Sequence, residues 1–456
     1  MATVEAKLGW RFPRTFWTAN IVELFERAAY YGCFIALALY LTDRVGFTDI
    51  ETGWIVAVFA SVMYFLPTFT GAAADRMGFR AALALAFSLL TLGYSLLGAS
   101  QQKGMALLSL ALILVGGAIV KPVISGTVAK CSDDAHRARA FSIFYQIVNI
   151  GAFLGKTVAK PLRTELGLEY INFYAASMAA VALVVVLLFY RNVEAQAVQR
   201  SVGDVLKGLW RVVQNIRFMA LIIIVGGFWA IQGQLYATMP KYTIRLIGPD
   251  ASPEWLANIN PFIVVLCVVP ITHLVRRMRP VNSIAISLAI IPFSALAISL
   301  SPVLERWLGP SIHIVGGIAA HPITIMMIIG IALQGLAECF LSPRFLEYAS
   351  KQAPEGETGL YMGYSFLTSF FAWLFGFVLS GYLLDAYCPD PKTLAPGMMQ
   401  AAYANAHYIW YYFAGIGVTA FFMLLIYRFV TDRIDRAHHV VEPPPAEEPV
   451  PFIEEE

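Results

Sequence analysis

The chain has 456 residues, of which 58% are hydrophobic and 14% are charged. A soluble domain carries about 25% charged residues, so this composition excludes an ordinary soluble protein and indicates a polytopic membrane protein. The formal net charge of +2 gives no sign of nucleic-acid binding.

Long apolar segments, separated by Gly, Pro and charged residues, predict an all-α membrane protein with twelve transmembrane helices. The first, second, seventh, tenth and eleventh segments are longer than a bilayer requires, so we expect them to be tilted or kinked. The predicted spans are 16–42, 51–74, 81–101, 104–129, 139–162, 170–190, 217–243, 255–275, 281–301, 318–343, 358–386 and 402–430.

The distribution of Lys and Arg predicts the orientation of the spans. Most of these residues fall in connections on the same side as both termini, which predicts a multi-pass protein of the inner (plasma) membrane with cytoplasmic termini. The most basic connection, 191–216, separates six-helix bundles over 1–190 and 217–432, and part of it should lie along the inner membrane surface. The Pro- and Glu-rich tail, 433–456, is expected to be disordered.

The first span contains an unusual cluster of charges. Residues 23–32 read ELFERAAYYG, which puts Glu23, Glu26 and Arg27 within about one turn of an apolar helix. Each ionisable residue near the bilayer centre costs at least ~2.5 kcal/mol, so such groups must pair or line a wet cavity. The cluster indicates a protein that moves a polar or ionic solute.

The loop between spans two and three reads GAAADRMGFR over residues 71–80 and fits the GxxxDRxGxR signature. This segment resembles the gating motif of the major facilitator superfamily, whose residues here are Gly71, Asp75, Arg76, Gly78 and Arg80. The acid and the arginines could bind helix termini through a contact that breaks when the halves rock. A basic loop that only fixes topology is the alternative.

Within that superfamily, residues 23–32 resemble the ExxERxxYYG signature of proton-dependent oligopeptide transporters. Further matches occur in order along most of the chain: MYFLP at 63–67, VKPVIS at 120–125, FSIFYQIVNIGAF at 141–153, FWA at 228–230, NINP at 258–261 and ECFLSP at 338–343.

The resemblance implies a substrate site between the two bundles. Arg27 and Lys121 would hold a carboxylate, and the amino end of the substrate would face Asn149, Asn260 and Glu338. Proton coupling would involve Glu23, Glu26, Arg27 and Glu338. The full set of expected substrate-binding residues is Arg27, Tyr30, Tyr31, Tyr64, Lys121, Asn149, Lys156, Gln234, Asn260, Glu338 and Trp373.

Three positions depart from the pattern of the family. Gly233 stands where the family carries the acid of an FWxxFEQ segment, and Phe34 replaces a second arginine that is common on the first span of relatives. Lys156 lies seven residues beyond Asn149 and so on the same helix face. It could replace a lost cavity charge or extend toward the outer interface.

We therefore expect a secondary transporter, and not an enzyme, that imports di- or tripeptides or similar zwitterions with protons. The alternatives are a superfamily transporter for another organic solute or a drug/proton antiporter. A sensor or scaffold without turnover is a more distant reading. The five scattered cysteines indicate neither a metal site nor disulfides, and no cofactor is expected. The expected partners are a small solute, protons and the lipid bilayer, without nucleic acid and with a monomer as the default.

Overall fold

The computed structural model describes residues 12–132, 136–192, 202–313, 319–352 and 363–437. Its secondary structure is almost wholly helical, with one short β-hairpin. The helices are α1 Arg14–Tyr40, α2 Asp49–Phe65, α3 Pro67–Met77, α4 Phe79–Ala99, α5 Lys103–Lys130, α6 Arg137–Pro161, α7 Leu168–Phe189, α8 Val202–Gln214, α9 Ile216–Gln232, α10 Met239–Ile247, α11 Pro253–Leu256, α12 Ile259–Val275, α13 Pro280–Ser299, α14 Ser301–Leu308, α15 Pro322–Lys351, α16 Leu367–Tyr387, α17 Met399–Tyr403 and α18 Tyr408–Ala437.

Shorter elements connect or extend these helices. Leu41–Val45 and Leu162–Leu166 are π-helical, whereas Gly233–Leu235 and Pro391–Thr393 are 3₁₀ turns. Strands β1 (Ile312–His313) and β2 (Ala319–Ala320) pair antiparallel in the connection before α15. The first residues of the predicted disordered tail, 433–437, are helical, because α18 continues to Ala437, and residues 438–456 lie outside the described residues.

Within the described residues, ten helical segments are long and apolar enough to cross a bilayer. The two remaining predicted spans are also helical. One is α2 with α3, which is broken at Leu66, and the other is α6, whose ends carry arginine and lysine. The predicted fold of twelve transmembrane helices is therefore confirmed.

The second span begins and breaks for local reasons. Thr48 and Glu51 form a capping box: the Thr48 hydroxyl accepts from the Glu51 backbone N–H at 3.1 Å, and the Glu51 carboxylate accepts from the Thr48 backbone N–H at 2.9 Å. Pro67 lacks an N–H and starts a new helix, because it cannot continue the hydrogen-bond ladder of α2. Gly78, at φ 84°, ends α3 in a conformation that a side chain would strain.

Helix packing repeats with a period of six spans. In the N-terminal half, α4 packs on α5 and α7, while α1 packs on α6 and α7. In the C-terminal half, the equivalent helices do the same: α13 packs on α15 and α18, while α9 packs on α16 and α18. The repeat is what two related six-helix bundles would give.

The two halves meet most closely where α2 crosses α16. A Cβ atom added to Gly53 would lie 2.9 Å from the Cα atom of Gly381, which is too close for any side chain. Small residues let transmembrane helices approach to backbone contact. This crossing lies near the start of α2 and the end of α16, at the predicted outer end of the molecule.

Candidate functional site

A cavity of about 640 Å³ lies between the two halves, on the predicted cytoplasmic side of Arg27. Charged residues of the N-terminal half occupy one wall, and aromatic residues from the segment that precedes α16 occupy the other. The lining residues are Glu23, Arg27, Tyr64, Pro67, Lys121, Pro122, Ser125, Phe144, Tyr145, Val148, Gly363, Tyr364 and Phe366.

The charge cluster of the first span is buried and paired. The Arg27 Nε atom lies 3.1 Å from Glu23 and also donates a hydrogen bond to Glu26. The guanidinium lies over the rings of Tyr30 and Tyr31, 5.5 and 5.9 Å from their centroids. Arg27 is thus held between two carboxylates, while the second Glu23 oxygen, Oε2, is buried with no hydrogen-bond partner among the described residues.

Lys121 faces the cavity from α5, where the next residue, Pro122, removes one backbone hydrogen bond. Pro122 has no N–H for the carbonyl of Ala118, and the hydroxyl of Thr70 on α3 donates to that carbonyl instead, at 2.7 Å. The Lys121 ammonium lies 4.2 Å from the ring centroid of Tyr64. It has no carboxylate within 4.0 Å among the described residues, so its charge is available to an anion in the cavity.

On the other half, Asn260 of α12 donates a hydrogen bond to Glu338 of α15 at 3.2 Å. Lys156 of α6 donates to the carbonyl of Ala257, one turn before Asn260, at 3.1 Å. Its side chain is only 2% exposed, so it does not extend to the interface. Lys156 therefore links the two halves beside the predicted amino-end site.

Other predicted substrate-binding residues lie in different surroundings. Tyr31 lies between two cations, because its ring is also 5.7 Å from the Lys156 ammonium. Asn149 donates to the Tyr145 carbonyl of its own helix at 2.8 Å. Tyr30 is directed into the core of the N-terminal half, where its ring stacks on Phe34.

Gln234 is fully buried, and its amide is occupied within the C-terminal half. It donates to the carbonyls of Ala230 and Gly376, at 2.8 and 3.3 Å, and accepts from the Thr238 hydroxyl at 2.6 Å. Neither Tyr30 nor Gln234 lines the described cavity, and their contact with substrate stays a prediction.

Trp373 of α16 lies behind the cavity wall. Its ring meets the edge of Tyr64 at 4.8 Å between centroids and stacks on Phe377 at 5.3 Å. A Cβ atom at Gly233 would lie 2.9 Å from the Phe377 ring and 3.4 Å from Trp373 Nε1. Two positions that depart from the family pattern, Phe34 of the first span and Gly233 of the seventh, thus face the same aromatic cluster.

At the predicted outer end, Asp49 of α2 binds two cations of α10 across the halves. Its carboxylate lies 2.7 Å from Lys241 and 2.8 Å from Arg245. All three side chains are at most 5% exposed. Arg245 also donates to the carbonyl of Cys388 at the end of α16, at 2.5 Å. These contacts close one side of the outer end.

A second set of contacts closes the opposite side. Arg163, just after α6, pairs with Glu254 at 2.5 Å and donates to the carbonyl of Pro249 at 2.9 Å. Lys160 donates to the carbonyls of Asp250 and Ala251, at 2.6 and 3.1 Å. Both sides of the outer end are therefore bonded across the halves, and these contacts close the cavity at that end.

In the loop between α3 and α4, the predicted contact of an arginine with a helix terminus is present. The Arg80 guanidinium donates to the carbonyl of Leu187 in the last turn of α7, at 2.6 Å. The Arg80 backbone N–H donates to Asn192 at 2.8 Å. Gly71 lies against Pro122, with 3.4 Å between an added Cβ and the proline Cβ. The Asp75 side chain lies outside the described part of the structure.

Sequence reasoning missed the outer ion pairs and the aromatic wall. The sequence alone gives no partner to Asp49, Lys241 or Arg245, which lie near the ends of predicted spans. A usable signal was the spacing of Lys241 and Arg245, which lie four residues apart and so share one face of α10.

Comparisons with known proteins agree with this architecture. The Major Facilitator Superfamily profile matches residues 20–320. Dipeptide and tripeptide permease A of Citrobacter koseri is 23% identical over 430 residues, covering 81% of this chain and 84% of that protein. The permease of the same name from Proteus mirabilis is 30% identical over 159 residues, covering 34% of this chain and 33% of that protein.

Solved structures give the same fold. A crystal structure of the peptide transporter POT with sulfate has a TM-score of 0.69 at 20% identity, covering 93% of this chain and 95% of that chain. A POT family transporter with 5-aminolevulinic acid has a TM-score of 0.71 at 19% identity, covering 92% and 97%. The resemblance to oligopeptide transporters is confirmed as a likeness in sequence and fold. With two thirds of its length matched by the family profile, this multi-pass membrane protein belongs to the major facilitator superfamily.

Proposed function

We propose that the chain is a proton-coupled symporter that imports di- and tripeptides or similar small zwitterionic solutes by alternating access. The observation that carries this proposal is the Lys121 ammonium on the cavity wall, which has no carboxylate partner among the described residues and lies beside an arginine already neutralised by two carboxylates. An available cation on the wall favours a solute that ends in a carboxylate. The permeases and POT structures named above support this assignment.

The substrate carboxylate binds Lys121, with Arg27 close by, while Tyr64 and Tyr31 border the solute. The amino end is directed toward Asn149, Asn260 and Glu338. Lys156 and Trp373 complete the surroundings without direct access to the described cavity. The cavity is lined by residues of both halves, so the site forms only when the halves face each other.

The proton is carried beside Arg27. Glu23 lines the cavity, and its Oε2 atom is buried without a hydrogen-bond partner among the described residues. A bare carboxylate oxygen in such a place is costly, and a proton on it removes that cost. Glu26 and Glu338 are the other acids through which protons can be exchanged. Coupling follows if proton and solute stabilise the same conformers.

We place both termini in the cytoplasm, and in that orientation this conformation is an inward-facing state of a protein in the inner membrane. The contacts of Asp49 and Arg163 close the outer end, and the cavity lies on the inner side of Arg27. Rocking of the two halves, 1–190 and 217–432, breaks these contacts and forms others around residues 71–80. The basic linker, 191–216, contains α8 and joins the halves on the inner side.

Uptake of labelled dialanine by the reconstituted protein tests the proposal. Proteoliposomes with an inward proton gradient should accumulate the dipeptide, and collapse of the gradient with a protonophore should abolish accumulation. Gradient-dependent uptake in protein-free liposomes is the control. Binding of dialanine without any gradient-dependent accumulation would reject symport.

A transporter for another organic solute, including a drug/proton antiporter, is the second candidate. The aromatic cluster around Phe34 and Gly233 favours this second candidate. Apolar rings lie there, where the family pattern implies charged residues. Competition by peptides, amino acids and carboxylates separates the two. Antiport is indicated if an outward-directed proton flux drives solute uptake into inverted vesicles.

A further inference from the structure

Helix α8 (Val202–Gln214), in the connection between the two halves, exposes large apolar side chains. Leu206 is 52% exposed, Trp210 64% and Val213 41%. Water is an unfavourable neighbour for such a surface, and an exposed apolar patch marks a contact with a membrane or with a protein partner. The rest of α8 and its place in the chain decide between these occupants.

The exposed apolar residues share one face of α8, and the protein covers the next face. Successive residues of a helix are about 100° apart, so Leu206, Trp210 and Val213 fall within an arc of about 60°. Leu209 and Val212 lie about 100° to one side of this apolar arc, where they pack into the core of the protein. The helix as a whole packs on α3 and on α9. The apolar arc therefore lies beside the protein contact and not within it.

The basic residues of α8 occupy the flank opposite to the protein contact. Lys207 and Arg211 are one turn apart and exposed, and they lie about 110° to the other side of the apolar arc. Asp204 is the one acid of the helix, so the charge of α8 is net positive. A helix that lies in a bilayer surface beside a protein needs this order of faces. Its apolar arc then meets the acyl chains, and its basic flank meets the headgroups.

The depth of α8 follows from its connection to a span. Only Asn215 separates its end from α9, which starts the apolar helical segment Ile216–Ile247. Ile216 is 80% exposed, so this end of the span faces away from the protein core. The last turn of α8 consequently lies at the membrane surface, on the predicted cytoplasmic side.

We propose that α8 binds anionic phospholipids of the leaflet on that side. Leu206, Trp210 and Val213 enter the acyl region, while Lys207 and Arg211 bind headgroup phosphates. Each Lys or Arg near an anionic surface strengthens the attraction, so lipids with a net negative charge are preferred to zwitterionic ones. This lipid contact is independent of the solute that the protein carries.

Native mass spectrometry of the full-length protein tests the preference for negative charge. The purified protein is titrated with dioleoyl phosphatidylglycerol or with dioleoyl phosphatidylcholine, and the retained lipids are counted. Wild-type protein should retain phosphatidylglycerol in preference. Lys207→Gln should weaken that retention about fivefold, which is the contribution of one basic residue at an anionic surface, and leave phosphatidylcholine unchanged.

Lys351→Gln is the matched control. Lys351 is also an exposed lysine near the predicted cytoplasmic side, but it already pairs with Glu347 at 2.8 Å, so this variant should retain lipid like the wild type. Equal retention of phosphatidylglycerol by Lys207→Gln and the wild type would overturn the proposal, as would equal retention of the two lipids by the wild type.

A spin label at Trp210→Cys measures the depth of the apolar arc in liposomes of the two lipids. The label should be more accessible to dissolved oxygen than to a water-soluble nickel reagent, and a label at Lys207→Cys should have a higher ratio of nickel to oxygen access. Labelled wild-type protein gives the background of the native cysteines. If Trp210→Cys does not fold, Leu206→Cys on the same arc replaces it.

Two outcomes of the depth measurement would contradict a lipid occupant. Greater access of the nickel reagent at position 210 would place the apolar arc of α8 in water. Low access of both reagents, together with a dimer in the mass spectrum, would mean that a second copy of the chain covers this face.

Discussion

Phe34 of α1 stacks on Trp373 of α16, with ring centroids 5.7 Å apart and ring planes within 13° of parallel. The contact joins the two halves of the protein at the outer edge of the cavity. Phe377 continues the stack, and it fits because Gly233 has no side chain. The neutral residues at positions 34 and 233 therefore share one structural role, because both allow the aromatic packing that joins the halves at this point.

We predict that Phe34 and Trp373 are energetically coupled. In a double-mutant cycle of Phe34→Leu and Trp373→Leu, the coupling in the free energy of unfolding should be about 0.5–1.5 kcal/mol, as for stacked aromatic pairs. Thermal unfolding of the four purified proteins measures it. Phe375→Leu provides the matched control, since Phe375 lies on the same helix but is 67% exposed toward lipid. Additive effects of the Phe34 and Trp373 changes would contradict the stacking role.

Lys121 is predicted to be essential for transport but not for folding. Its ammonium lines the cavity without a carboxylate partner among the described residues, so Lys121→Gln breaks no ion pair of the described protein. Uptake of a dipeptide should fall at least about 30-fold, because a buried carboxylate loses its charge partner. Uptake assays and melting temperatures of the same preparation measure the two effects.

Lys103→Gln is the control for removal of a lysine charge. Lys103 pairs with Glu51 at 3.1 Å on the surface, where both side chains are nearly half exposed, so its loss should change stability by less than about 1 kcal/mol. Equal uptake by Lys121→Gln and Lys103→Gln would remove Lys121 from the substrate site.

The first span could be recognised from sequence because ionisable residues stand out within an apolar helix. The pairing of Arg27 with Glu23 follows from a four-residue spacing on one helix face, which is a local property. The outer ion pair of Lys241 with Asp49 joins residues 192 positions apart. Such a contact depends on how two bundles pack, so charges at the span ends indicated topology but not their partners.

Burial also could not be assigned from spacing alone. Two environments fit the helix face of Lys156, and the packing of α11 against α6 selects the buried one. Tyr30 and Tyr31 show the same limit. Neighbouring tyrosines in a motif point in directions about 100° apart, and Tyr31 faces the other half while Tyr30 faces the core.

We predict that Gly155 is required for the packing of α1 on α6. A Cβ atom at this position would overlap the carbonyl of Ala28, which is backbone and cannot move aside. Gly155→Ala should therefore destabilise the protein by about 1–3 kcal/mol, as for overpacking in a core. Gly415→Ala is the control, because an added Cβ there meets nothing within 4 Å. Equal melting temperatures for the two variants would show that α1 and α6 can separate at little cost.

The outer ion pairs should set the balance between inward- and outward-facing states. Asp49→Asn removes the one carboxylate that both Lys241 and Arg245 bind, and it leaves two buried cations close together. Breaking a buried pair in this way costs about 3–5 kcal/mol. The cost applies to the outer-closed state, because opening brings the cations into water. The variant should therefore favour the outward-facing state and import peptide more slowly.

A native thiol reports the change. Cys388 is fully buried, and its carbonyl is bonded to Arg245, so opening of the outer end should expose it to a membrane-impermeant maleimide. Labelling of Cys388 in intact cells should be at least about tenfold faster in Asp49→Asn. Even part of the cost of the broken ion pair is enough to shift the equilibrium toward the outward-facing state by that factor. Glu51→Gln, two residues away but exposed, should label like the wild type. Unchanged labelling in Asp49→Asn would mean that packing of α2 on α16 at Gly53 and Gly381, rather than charge, holds this end closed.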